Sequence, residues 1–256
     1  MVKQSTPFVV PVDGRKIVAV RIEGPQAPPL VFLHEGLGSI AQWRDFPAAL
    51  CAAAARPGLV YERFGHGRSS PMAGPRTPAY LHEEAATLLA VLDALQIQRA
   101  DLVGHSDGGS IALLAAARYP ARVGRLATMA AHVFVEEVTL AGIRAAQLTY
   151  AGTDMRDRLA RYHGEGTDAL FRAWAETWLS PAFRTWNIER DLRTLDAPVM
   201  AMQGEADEYG TLDQLARIKA AVHGPCATWA VPKAAHHPHL QARAEVLDRL
   251  AAFFRI

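Results

Sequence analysis

The chain has 256 residues, half of them hydrophobic, and its 27 Lys plus Arg nearly balance 26 Asp plus Glu, for a net charge of +1. That length supports one large domain with a substantial core. The charge balance gives no basis for nucleic acid or an anionic membrane as partner, so the expected partner is a small molecule; oligomeric state is left open. The N-terminus, MVKQSTPFVVPVDG, has no apolar stretch long enough for a secretory signal, and no run of about 18 apolar residues occurs anywhere. A cytoplasmic location is therefore expected. The two cysteines, Cys51 and Cys226, lie in apolar contexts without CxxC spacing and read as buried free thiols.

In chain order, Phe8 to Val12 and Lys16 to Ile22 flank Asp13-Gly14 and predict an opening hairpin. Leu30 to Leu33 (LVFL) is a short apolar run suited to a buried strand. Ala41 to Arg56 reads as a helix ended by Pro57-Gly58, and Leu59 to Tyr61 as a short strand. Pro78 to Gln96 is helical, with Leu81, Ala85, Leu88, Leu89 and Leu92 on one face. Ala100 to Val103 and Arg125 to Met129 are strands around a helix from Gly109 to Arg118. Pro198 to Met202 and Ala227 to Val231 are strands around a helix from Leu212 to Val222, and Arg243 to Phe254 closes the chain as an amphipathic helix. Strands alternating with helices imply an α/β fold with a mostly parallel sheet covered on both faces. Residues 133–191 break that rhythm, with no convincing strand and six large aromatics: Phe134, Phe171, Trp174, Trp178, Phe183 and Trp186. The division expected is a core of residues 1–132 and 192–256 with a helical lid inserted at 133–191.

The sharpest local signal is Gly104-His105-Ser106-Asp107-Gly108, a G-x-S-x-G that directly follows a strand and precedes a helix. That is the setting of a nucleophile elbow, where a turn too sharp for bulky neighbours presents Ser106 Oγ. A serine alcohol needs a base, and the base an orienting acid. With such an elbow the chain order is nucleophile, acid, histidine. His236, in the loop after the final strand, is the candidate base. Asp207, after the strand PVMAM, is the candidate acid, with Glu205 and Glu208 as nearby surface charges. A metal site formed by His236, His237 and His239 is set aside because no matching cysteine or carboxylate cluster accompanies them. His237 reads as a solvated loop residue and His239 as a packed helix start. The oxyanion requires two inward amides, assigned to Asp107 and to Gly36 in the loop His34-Glu35-Gly36-Leu37-Gly38-Ser39.

From LVFLHEGLGS, through YERFGHGRSS and GHSDGGSIALLAAARYP, to QGEADEYG and AAHHPHL, nearly the whole chain resembles the α/β-hydrolase superfamily. Within it, the S-D-G-G elbow, AAHVFVEEVTLAGIRA and RAWAETWL resemble the valacyclovir hydrolase (biphenyl hydrolase-like) group. The resemblance implies an α/β-hydrolase fold with a helical cap and a serine hydrolase acting on esters or activated amides without a cofactor. Ser106, Asp207 and His236 carry over as the triad. It also implies that Asp107, after the nucleophile, can hold a substrate ammonium, as in amino-acid esters. The chain departs from the usual His-Gly of the oxyanion loop by carrying Glu35. A carboxylate there must point away or be paired, or else it lines the pocket and selects a basic or polar substrate. Trp174 and Trp178 are expected as further substrate-binding residues. The same triad also serves C–C bond hydrolysis, lactone opening and perhydrolysis. A receptor-like binding protein with slow turnover, or a lyase using His236 without acylation, remains an alternative.

Overall fold

The computed structural model describes residues 4–255. Eight strands are hydrogen-bonded in the order β1-β2-β4-β3-β5-β6-β7-β8. The opening hairpin is β1 (Phe8–Val12) and β2 (Arg15–Ile22), and β3 (Leu30–Leu33) follows. Helix α1 (Phe46–Ala54) leads to β4 (Gly58–Glu62), then α2 (Tyr80–Ala94) to β5 (Ala100–His105). Helix α3 (Asp107–Arg118) and β6 (Val123–Met129) come next. Three helices stand between β6 and β7: α4 (Glu137–Gly152), α5 (Met155–His163) and α6 (Thr167–Leu179). The chain ends with β7 (Val199–Gly204), α7 (Asp213–Ala221), β8 (Cys226–Val231), the one-turn α8 (Pro238–Gln241) and α9 (Arg243–Phe254).

Only β1–β2 and β2–β4 pair antiparallel; every other neighbouring pair is parallel. Pleating sends alternate side chains of β3 to opposite faces. Val31 and Leu33 join the cluster containing Leu81, Leu88 and Ile111, whereas Leu30 and Phe32 join the one containing Leu50, Leu250 and Phe254. The sheet is thus covered by α2 and α3 on one side and by α1 and α9 on the other. All four β3 residues are buried, which accounts for a continuous apolar run instead of an alternating one.

One predicted element is divided. The helix expected over 41–56 is a 3-10 turn at Ala41–Trp43 followed by α1 from Phe46. Arg44 between them has φ 54°, and Pro47 lies in the first turn of α1. Proline lacks an N–H and crowds the preceding turn, so it is tolerated at a helix start and not within one continuous helix. Cys51 is buried as expected, but Cys226 is only half-buried on edge strand β8, and both are free thiols. Among the described residues no helix is long and apolar enough to cross a membrane.

The strand order places the site. After β3 the chain steps to β4 on one side, then returns to β5 on the other, so β3 and β5 are the point where the winding reverses. Loops leaving the carboxyl ends of two such strands diverge and open a crevice between them. The loop starting at His34 leaves β3 there, and Ser106 leaves β5.

Candidate active site

Ser106 sits between β5 and α3 with φ 54° and ψ −119°, a backbone conformation that side chains rarely adopt. The surrounding chain holds it there. Its N–H donates to Met129 O at 2.8 Å, while its carbonyl accepts from Gly109 N at 2.8 Å and Ser110 N at 3.1 Å. The neighbouring glycines are sterically required. A Cβ at Gly104 would overlap the Gly108 carbonyl, and one at Gly108 would overlap the Leu33 carbonyl. One at Gly109 would lie 2.7 Å from Ala131 Cβ.

His236, 130 residues away in the chain, has Nε2 at 3.0 Å from Ser106 Oγ. Its Nδ1 lies 2.9 and 3.0 Å from the two oxygens of Asp207. Asp207 is fixed in turn, since Gln203 Nε2 donates to Oδ2 at 2.6 Å and the Tyr209 N–H to Oδ1 at 2.8 Å. Burial favours the neutral carboxyl of Asp207, but the His236 bond, its charge and the Tyr209 amide together outweigh that and hold it below the usual carboxylate range. Glu205 and Glu208 are exposed, and Glu208 only accepts the His236 backbone N–H at 3.3 Å.

The Gly36 and Asp107 backbone N–H groups donate to no backbone or side-chain acceptor among the described residues, and both residues line the cavity that contains Ser106 and His236. The loop carrying Gly36 is pinned from both sides. Arg63 N–H donates to His34 Nε2 at 3.1 Å, so the His34 Nδ1–H donates to Glu35 O at 2.8 Å. Gly67 N–H donates to His163 Nδ1 at 3.0 Å, which leaves the His163 Nε2–H to donate to Leu37 O at 2.9 Å. His163 ends α5, so this helix grips the loop carrying Gly36 directly. Burial keeps both His34 and His163 neutral, as these tautomers require.

The cavity is about 180 Å³ and largely apolar, walled by Ile143, Leu159, Trp174 and Trp178 of the insert. A Cβ on Gly36 would meet Trp174 Cδ1 at 2.6 Å, so this indole packs directly against the loop carrying Gly36. Asp107 is buried and also lines the cavity. Its Oδ2 accepts from Tyr80 Oη at 3.0 Å, with Arg63 Nη1 at 3.7 Å, and Trp178 Nε1 donates to the same Tyr80 oxygen at 2.8 Å. Among the described residues no group donates to Oδ1.

Glu35 lines the cavity, and its Oε2 lies 3.4 Å from Nδ1 of His105. His237 differs from expectation. It is half-buried instead of solvated, with its ring 4.9 Å from that of His105, because the turn into α8 folds it back over the elbow. His239 is buried against Trp43 and Phe46 at the start of α8. Among the described residues, His236, His237 and His239 form no metal-type cluster; Glu35, His105 and His237 do, with ligand atoms within 4.8 Å of one another. Sequence spacing concealed this group because its members come from the end of β5 and the loops after β3 and β8. Sequence reasoning also missed Gln203, His132, Tyr209 and Tyr80. The first orients Asp207, and the next two line the cavity. His132 Nε2 donates to Tyr209 O at 2.9 Å, and burial lowers its pKa. No local motif marks any of the four.

With strand order, elbow and triad geometry in place, comparison with known proteins is direct. The alpha/beta hydrolase fold family matches residues 28–194, and the chain belongs to that family. Among curated relatives, it is 29% identical over 265 residues to the dihydrolipoyllysine-residue acetyltransferase component of the acetoin cleaving system of Pseudomonas putida, which covers 95% of this chain and 68% of the relative. It is 27% identical over 257 residues to the 2-hydroxymuconate semialdehyde hydrolase of Pseudomonas sp. strain CF600, covering 86% of this chain and 88% of the relative. Among solved structures, 2-hydroxy-6-oxo-6-phenylhexa-2,4-dienoate hydrolase from Rhodococcus sp. strain RHA1 superposes with a TM-score of 0.82. That match has 15% identity and spans 98% of this chain and 99% of the other, and it speaks to the fold alone.

Proposed function

We propose that the chain is a serine hydrolase that cleaves carboxylic esters of small molecules through an acyl-enzyme, without a cofactor, in the cytoplasm. The observation that carries this reading is the 3.0 Å approach of Ser106 Oγ to His236 Nε2, with His236 Nδ1 set between the Asp207 oxygens. Oγ attacks the carbonyl as His236 takes its proton, and Asp207 stabilises the imidazolium that results. The amides of Gly36 and Asp107, free of other acceptors, receive the oxyanion. His236 returns its proton to the leaving alcohol, and water repeats the sequence on the acyl group. Residues 133–191 act as a lid whose Trp174 and Trp178 bound the substrate, and Glu35 lines the pocket beside His105.

Asp107 is the candidate reader of an ammonium, as the likeness to the valacyclovir hydrolase group suggests. Its free Oδ1 supports that role, while Tyr80 and Arg63 already share Oδ2. A second reading is hydrolysis of a C–C bond, favoured by near full-length likeness to 2-hydroxymuconate semialdehyde hydrolase. The experiment is covalent labelling with a fluorophosphonate, then turnover on aryl esters with and without an α-amino group and on a C–C substrate. Labelling of wild type and none of Ser106→Ala is expected, with ester turnover falling about 10⁴-fold or more in that variant. Labelling without ester turnover favours the C–C reading or a receptor-like protein. A Ser106→Ala variant that keeps half of wild-type activity overturns the nucleophile.

A further inference from the structure

The group formed by Glu35, His105 and His237 lies outside the triad, and the chemistry above uses none of its ring nitrogens. His105 is fully buried, and its Nε2 lies 2.7 Å from the carbonyl oxygen of His236. A carbonyl can only accept, so Nε2 carries the proton. The other ring nitrogen, Nδ1, faces Glu35 Oε2 at 3.4 Å. Charge-assisted N–H···O bonds normally close to about 2.7–2.9 Å, so this contact is long for an ion pair. A cation between the two atoms suits the distance observed. In a tetrahedral zinc site, bonds of about 2.0–2.2 Å to nitrogen and carboxylate oxygen put neighbouring donors roughly 3.3–3.5 Å apart. His237 supplies a third donor, with all three ligand atoms inside 4.8 Å.

We propose that Glu35, His105 and His237 bind one zinc-type transition-metal ion, which ties the end of β5 to the loops after β3 and β8. Two imidazoles and one carboxylate suit Zn²⁺, Co²⁺ or Ni²⁺ and not Mg²⁺ or Ca²⁺, which take oxygen donors. The ion has a way in. Glu35 and His237 line both the cavity holding Ser106 and a second one of about 310 Å³ bounded by Arg44, Met155, Arg158 and Tyr162. His237 needs to swing in by about 1 Å to complete a tetrahedral face, which its half-buried turn position permits. The consequence follows from chain position. Glu35 adjoins the oxyanion amide of Gly36, His105 precedes the nucleophile, and His237 follows the base. Coordination at His105 Nδ1 also locks the tautomer in which Nε2–H holds the His236 main chain.

The test is calorimetric titration of EDTA-treated protein with Zn²⁺, and with Mg²⁺ in parallel, together with thermal midpoints in both conditions. One equivalent of Zn²⁺ is expected to bind and raise the midpoint, with no response to Mg²⁺. Co²⁺ is expected to give the visible absorption of a four-coordinate site. His237→Gln and Glu35→Gln should each weaken Zn²⁺ by at least about tenfold, on the scale that disturbing a metal site costs. Metal-free midpoints close to wild type show that these variants fold. Asp207→Asn should bind Zn²⁺ as wild type does, since the triad is not the site. The proposal is overturned if wild type binds no Zn²⁺, if both variants bind it unchanged, or if Asp207→Asn alone abolishes binding. It is also overturned if ¹⁵N spectra of Zn²⁺-treated protein show both His105 ring nitrogens protonated at neutral pH, which identifies an ion pair in place of a metal.

Discussion

Substituting Gly109 by alanine tests how tightly the elbow is held. The added Cβ would stand 2.7 Å from Ala131 Cβ, and Ala131 Cα would be 3.3 Å away. Carbon atoms rest at about 3.5–4.0 Å, so α3 and the turn after β6 must separate by about 1 Å. Neither yields easily. Ser110 Oγ donates to His132 O at 2.6 Å and accepts from His132 N at 3.1 Å, which staples the same two segments. Overpacking of this kind costs about 1–3 kcal/mol, and each kcal/mol lowers the thermal midpoint by about 2–4 °C in a chain of this size. Activity should suffer more than stability. Gly109 N bonds Ser106 O, so displacing α3 tilts the nucleophile and the Asp107 amide, and a misplacement of about 1 Å can cost ~10²-fold in rate. Removing the opposing methyl should relieve the clash. Gly109→Ala with Ala131→Gly should therefore recover most of both losses, with a coupling of about 0.5–3 kcal/mol between the two sites. Urea denaturation and kcat/KM on an aryl ester, measured for both single variants and the double, provide the cycle. A Gly109→Ala protein as stable and active as wild type, or a double variant with strictly additive losses, refutes the steric account of the elbow. Gly74→Ala, where an added Cβ meets nothing within 4 Å, is the control.

Asp207→Asn should cut hydrolysis by about 10⁴-fold by favouring the wrong imidazole tautomer, whereas Glu205→Gln and Glu208→Gln should stay within several-fold; a large loss at Glu208 with none at Asp207 would move the acid. The same variant has a pH signature. The Asp207 carboxyl is held below its unfolded value, so its contribution to stability is full above about pH 4 and is lost as pH falls through the lower folded value. Unfolding free energies of wild type and Asp207→Asn should thus converge on acidification, and parallel curves would refute that coupling. Trp174→Ala and Trp178→Ala should change KM and substrate ranking more than they change the response to fluorophosphonate; equal loss on every substrate alongside lost stability would make these indoles ordinary core. Asp107→Ala keeps the oxyanion amide and removes the carboxylate, so it should lower kcat/KM on an amino-acid ester by about 10- to 150-fold, or ~1.5–3 kcal/mol, and spare a simple acetate ester. Equal losses on both would confine Asp107 to bracing Tyr80 and Arg63.

Local pattern was enough for every strand and for most helices. The apolar run of β3, the amphipathic face of α2 and the turn chemistry of the opening hairpin are each short-range signals, and the fold follows from their alternation. The glycine-flanked Ser106 was readable for the same reason, because a turn that sharp restricts its immediate neighbours and nothing farther off. Where local rules competed, sequence reading failed: Pro47 and the positive φ of Arg44 divide what periodicity reads as one helix. Other features have no local signature at all. Gln203 orients Asp207, Tyr80 and Arg63 share the charge of Asp107, and His163 grips Leu37 from 126 residues away. Glu35, His105 and His237 share no spacing signal in the sequence and meet only because β3, β5 and β8 all end at one edge of the sheet. Chain order determined which residues could serve as nucleophile, base and acid. Which groups hold, neutralise and surround them was decided by the sheet, since hydrogen bonds and charge act over a few ångströms of space and take no account of separation along the chain.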